Sequence, residues 1–142
     1  MKVLFVVVFL LFSNFAWSQE SKVQDSTLVS NLDRVPLFPG GASGWQNFLV
    51  RTMNINEAIR ELDSAQYVDF GTRQTAILEF TVCEDGKICD IEILNKNKIS
   101  PAFAKEALRV MKRSPRWKPG QKDNQPVRAR FRQSITAILD ED

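Results

Sequence analysis

The sequence predicts an α+β domain in which a three-stranded antiparallel sheet packs against two or three helices, in the order α-α-β-β-α-β. Three observations lead there. Residues 76–83 place an apolar side chain at every even position, the period of a strand with one face in a core. Asp85-Gly86 follows directly, and those residues tolerate the positive φ of a tight hairpin turn. Apolar residues at helical spacing lie on both sides of this hairpin, within residues 45–53 and 103–111.

The punctuation Phe38-Pro39-Gly40-Gly41 marks where folding is expected to begin. Trp45, Phe48, Leu49 and Met53 then form one stripe of a first helix. Asn56 is expected to cap a short second helix, with Glu57 in its first turn and Ala58, Ile59 and Leu62 inward. Residues 64–73, with Tyr67, Phe70 and Gly71, read as a loop. In the first strand Ala76, Leu78, Phe80 and Val82 face the core. The returning strand, Ile88 to Leu94, starts with Ile88 on an even position but continues with Ile91 and Ile93 on odd ones. That switch of parity predicts a bulge near Cys89-Asp90.

Ser100-Pro101 supplies a cap and a first-turn proline. The helix after it is expected to bury Phe103, Ala104, Ala107, Leu108 and Met111, with Lys105, Glu106, Arg109 and Lys112 in water. Pro115 ends it, and Pro115-Arg116-Trp117-Lys118-Pro119-Gly120 opens a turn-rich connector in which Trp117 serves as an aromatic anchor. A last strand runs from Pro126 to Leu139. Val127, Ala129, Phe131, Ile135, Ala137 and Leu139 share one face with Gln133 as the exception, and Arg128, Arg130, Arg132, Ser134 and Thr136 share the other.

The N-terminus has a different character. Lys2, the apolar run Val3 to Phe12, the break Ser13-Asn14 and the small-residue site Ala16-Trp17-Ser18 follow the pattern of a secretory signal, with cleavage between Ser18 and Gln19. The apolar run falls short of the roughly 20 residues that span a bilayer. The expected organisation is a signal peptide (1–18), a flexible leader (19–37), one domain (38–139) and an acidic tail (140–142), exported to the periplasm. Anchoring in the inner membrane through residues 3–17 is the alternative.

Formal net charge is only +2, but residues 105–132 carry a local +8 whereas residues 19–104 carry −4. A basic C-terminal half suits an acidic peptide or, more weakly, an anionic lipid surface, while export argues against nucleic acid. The commonest meaning of such a run is a solvated face. The chain has no histidine, which removes the easiest general-base, nucleophile and metal constellations. No phosphate loop, dinucleotide fingerprint or nucleophile elbow occurs. The reading is of a non-enzyme without cofactor or metal. Cys83 and Cys89 become cross-strand neighbours if Val82 and Ile88 both point inward, and export permits a disulfide between them. Two free thiols are the alternative.

A tight hairpin keeps the first two strands adjacent, so the last strand must lie at a sheet edge. An edge bearing Pro126 and three arginines is either blunted against pairing or open to an extended peptide, with the arginines favouring an acidic or polar partner.

Taken in order, Phe38-Pro39-Gly40-Gly41, Glu79-Phe80-Thr81-Val82, Asp85-Gly86-Lys87-Ile88, Asp90-Ile91, the helix Lys105-Glu106-Ala107-Leu108-Arg109-Val110, Pro115 to Gly120 and Gln125-Pro126-Val127 resemble the C-terminal domain of TonB-type energy transducers. The order is similar especially to the form common in Bacteroidetes, and the likeness spans roughly residues 38–138. The resemblance implies a domain whose last strand docks a short peptide of an outer-membrane receptor. Carried onto this sequence, that strand is Val127, Arg128, Ala129, Arg130, Phe131, Arg132, Gln133, Ser134 and Ile135. The sequence departs from the pattern in its cleavable-looking signal without a Pro-rich spacer, in Ile55-Asn56 replacing a tyrosine-proline pair, and in a longer segment at 64–73. The expected function is a periplasmic interaction module that binds an extended peptide of an outer-membrane TonB-dependent receptor, or of another envelope protein. A self-associating structural protein, with two copies paired as a homodimer through the same edge, is the alternative.

Overall fold

The computed structural model describes residues 29–140. The signal peptide, its cleavage site at Ser18 and Gln19, the first ten residues of the leader and the last two of the acidic tail lie outside the described residues. The helices are α1 (Gly41–Thr52), α2 (Ile55–Arg60), α3 (Ser64–Phe70) and α4 (Pro101–Lys112). The strands are β1 (Arg73–Val82), β2 (Ile88–Ile93), β3 (Gly120–Lys122), β4 (Gln125–Val127) and β5 (Ala129–Ile138). The main sheet has the order β2-β1-β5, antiparallel throughout, and β3-β4 form a separate small hairpin.

The even positions of β1 behave as their period requires: Ala76, Leu78, Phe80 and Val82 are fully buried. They meet Ala129, Ile135 and Ala137 of β5, Leu139 just beyond it, and Phe103, Ala107, Val110 and Met111 of α4. Opposite β1 the bulge lies where the parity switch places it. Thr81 pairs with Cys89 and Glu79 with Glu92, so Asp90 and Ile91 together oppose Phe80, and Asp90 takes φ 51°.

Trp117 is the hub of an aromatic cluster, with ring centroids 5.4 Å from Phe38, 5.9 Å from Trp45, 5.1 Å from Phe80 and 5.7 Å from Phe131. Its indole N–H donates to Ser114 Oγ at 2.7 Å, which satisfies the one polar group this ring brings into the core. Its backbone N–H donates to Gly86 O at 2.9 Å. Gly86 has φ 83°, and a Cβ there would lie 2.1 Å from Trp117 O, so only glycine permits this contact between hairpin tip and connector.

Several expectations are corrected. Residues 64–70 are helical because Asp63 accepts from Gln66 N at 2.8 Å while Gln66 Oε1 accepts from Asp63 N at 3.3 Å, a reciprocal capping box. The cap of α2 is Asn54, which accepts from Glu57 N at 3.3 Å, two residues earlier than expected. The strand expected over 126–139 is split. Asp123 and Asn124, with φ 49° and 60°, turn β3 into β4, and the chain passes Arg128 before β5 begins. Residues 29–37, expected in a flexible leader, lie against the connector: Leu37 and Lys118 exchange backbone hydrogen bonds at 3.0 and 2.8 Å, and Gln121 O accepts from Asp33 N and Arg34 N.

Glu106 was expected in water and is 6% exposed. It accepts from Asn54 N at 2.6 Å and from Arg109 Nε at 2.8 Å, while Arg109 also donates to Thr52 O at 2.6 Å. The pair thus fastens the α1–α2 junction to α4. Arg109 holds the Glu106 carboxyl below its usual range against the opposing effect of burial, and the Asn54 N–H adds to the lowering.

Candidate functional site

The feature that distinguishes this molecule is the free side of β5. Its ten residues pair with β1 in one unbroken register, from Arg73 opposite Ile138 to Val82 opposite Ala129. Just past the end of the strand Leu139 N donates to Thr72 O at 2.8 Å, which fixes the alternation of the ladder. The odd residues of β5 direct their N–H and C=O groups at β1. Arg130, Arg132, Ser134 and Thr136 direct theirs away from it, and no strand lies beside them among the described residues. The edge is closed at its beginning, where Arg128 O accepts from Val29 N at 3.0 Å.

This arrangement sorts the residues expected to form the docking strand. Val127 belongs to β4, where it pairs with Gly120, and Arg128 lies between the strands. Ala129, Arg130, Phe131, Arg132, Gln133, Ser134 and Ile135 all lie in β5. Ala129 and Ile135 are fully buried, and Phe131 and Gln133 are half-buried on the same core-facing side.

The arginines were expected to face an acidic partner, and the sheet itself supplies their carboxylates. Arg132 donates to Glu79 at 2.9 Å and Arg130 to the other oxygen of Glu79 at 3.1 Å, with Thr81 Oγ1 at 3.3 Å. Arg130 also lies 3.7 Å from Glu92, and Arg128 lies 3.4 Å from Asp90. Three cations on β5 and the turn before it thus face three carboxylates from β1 and β2. The Arg132 hydrogen bond draws the Glu79 carboxyl below its usual value of 4.5; desolvation opposes it and Arg130 reinforces it.

At the hairpin tip the Sγ atoms of Cys83 and Cys89 lie 2.6 Å apart. Burial, then the neighbouring Cys89, pushes the Cys83 thiol up to about 11. Among the described residues no three side chains of His, Cys, Asp or Glu converge as metal ligands do. No helix among them is long and apolar enough to cross a membrane.

The residues missed by sequence reasoning flank this edge. Leu37, Ala42, Trp45 and Gln46 line a pocket beside Phe131 and Gln133. The signal that was available is Gln133 itself, the one polar residue on an otherwise apolar strand face.

No curated protein matches the chain. Residues 71–136, from the start of β1 almost to the end of β5, match the family described as Gram-negative bacterial TonB protein C-terminal. Domains of that family are non-catalytic envelope modules that interact with outer-membrane receptors in general. With the three-stranded sheet, α4 against its inner face and an open last strand, this part of the chain is similar to a TonB C-terminal domain in sequence and in fold.

Proposed function

We propose that the protein is an exported interaction module that takes an extended peptide of an outer-membrane receptor, or of another envelope protein, as a fourth strand on β5. The observation that carries this is the outward row of N–H and C=O groups at Arg130, Arg132, Ser134 and Thr136, on a strand whose pairing with β1 has no irregularity. A regular edge whose outward backbone groups pair with no other strand is a template for strand addition. The signal-like N-terminus supports a periplasmic setting after cleavage between Ser18 and Gln19. In that oxidising compartment the adjacent Cys83 and Cys89 would close as a disulfide stapling the hairpin. Intact mass and thiol labelling before and after reduction test that bond.

Docking is tested by NMR titration of the mature chain, residues 19–142, with peptides from receptor N-termini. Backbone amides of Arg130, Arg132, Ser134 and Thr136 are expected to shift, and Ser134→Pro, which removes an outward donor, is expected to abolish the response. No shift with any peptide, at concentrations where sedimentation shows a monomer, overturns the reading. A mass that doubles with concentration, with shifts on the same four amides, assigns the edge to pairing of two copies.

A further inference from the structure

Beside the open edge of β5 lies a pocket of about 300 Å³. Its lining includes Phe131 and Gln133 of β5, Ala42, Trp45 and Gln46 of α1, and Leu37 and Trp117 from the segments on either side. Leu37 is 46% exposed, and Ala42 and Gln46 are exposed on the rim. The volume is at the small end of ligand sites and suits one side chain rather than a whole small molecule.

Strand addition has a geometric consequence here. Residues directly opposite one another on adjacent strands project to the same face of the sheet. A peptide residue set opposite Phe131 or Gln133 therefore projects to the core side, where the pocket lies. The residues before and after it project to the arginine face. There the guanidinium groups of Arg130 and Arg132 already share Glu79, and Glu92 and Asp90 complete the balance of charge. One face thus offers apolar surface that a side chain can cover, and the other offers little uncompensated charge.

Resting on the strand-addition reading, we propose that the partner peptide carries a large apolar side chain, aromatic or branched aliphatic, opposite Phe131 or Gln133. Insertion of this side chain between β5 and α1, rather than charge, selects the partner. The same geometry accounts for Gln133: at the mouth of a pocket its amide donates to Ser134 O at 3.5 Å while its methylene groups line the wall.

The test uses the mature chain and acetylated nine-residue threonine host peptides whose central guest is Phe, Leu, Ala or Asp, titrated by NMR. The Phe guest is expected to bind about tenfold more tightly than Ala, the scale set by covering one large side chain. Asp is expected to gain nothing over Ala, and the ratio should hold between about 0.05 and about 0.5 M salt, where exposed charges are screened. Ala42→Leu, at an exposed helical position that tolerates leucine, fills the mouth. It should erase the advantage of Phe over Ala. Equal affinity for all guests, with shifts on the β5 amides, overturns the pocket and leaves strand addition standing. An Asp preference that collapses in salt also overturns it and transfers selection to the arginine face. Silence from every guest overturns both readings.

Discussion

The two edges of one sheet are managed in opposite ways. β2 is six residues long, interrupted by the bulge at Asp90-Ile91, and its hairpin tip is fixed by the hydrogen bond from Trp117 N to Gly86 O. β5 is ten residues long and regular, and among the described residues its free side is bordered by backbone at Arg128, where Val29 N donates to Arg128 O. Bulges and short length are among the ways a sheet discourages unwanted pairing, and they are present on one side only. Charge does not blunt the β5 edge in the way its arginines suggest, because those side chains lie across the sheet face onto Glu79, Glu92 and Asp90. Which edge can accept a partner is therefore a question of backbone regularity.

Four substitutions sharpen or break this contrast. The largest effect is expected for Phe131→Pro, whose lost N–H points at β1 and whose ring leaves Trp117 and Phe80. It should cost about 4 kcal/mol in urea denaturation. Gly86→Ala attacks the other edge, forcing a Cβ against Trp117 O at a positive φ. A loss of about 3 kcal/mol is expected by the same measurement; a neutral result would mean that the connector does not fix the β2 tip. Glu79→Gln should cost about 1 kcal/mol at neutral pH. The sign of its pH dependence follows from the lowered carboxyl value. The stabilisation is present above the ordinary 4.5 and is lost as pH falls through the lower folded value, so the variant should flatten the acid limb of a stability-against-pH curve. Ser134→Pro should be the mildest for folding, below about 1 kcal/mol, because its N–H faces away from β1. Comparing it with Phe131→Pro separates damage to the sheet from damage to the edge.

Most of the sheet is legible in the sequence because its constraints are local. A period of two fixes which side of β1 is buried, and the parity switch between Ile88 and Ile91 places the bulge to within a residue or two. The capping box at Asp63 and Gln66 and the Asp123-Asn124 turn are short patterns with a known hydrogen-bonding or φ requirement, yet the segments that hold them read as a loop and a connector because neither carries an apolar period. Glu106 was not legible either. Its burial depends on Thr52 and Asn54, more than fifty positions away, and a charged residue on a helix otherwise reads as solvated. Residues 29–37 carry no local signal of their docking for a related reason. A segment that adds isolated backbone bonds to an irregular connector has no period to display. The open edge could be deduced from topology, but the pocket beside it needed the position of α1 relative to β5.

The aromatic cluster has one more consequence, for spectroscopy. Trp45 and Trp117 both line the pocket, and they are the tryptophans among the described residues. Their emission is therefore coupled to the polarity of the space that a partner's side chain would fill. Displacing water from it should move the indole spectrum to shorter wavelength, giving the protein an unlabelled optical signal of occupancy. Replacing each tryptophan in turn by phenylalanine would apportion that signal between α1 and the connector.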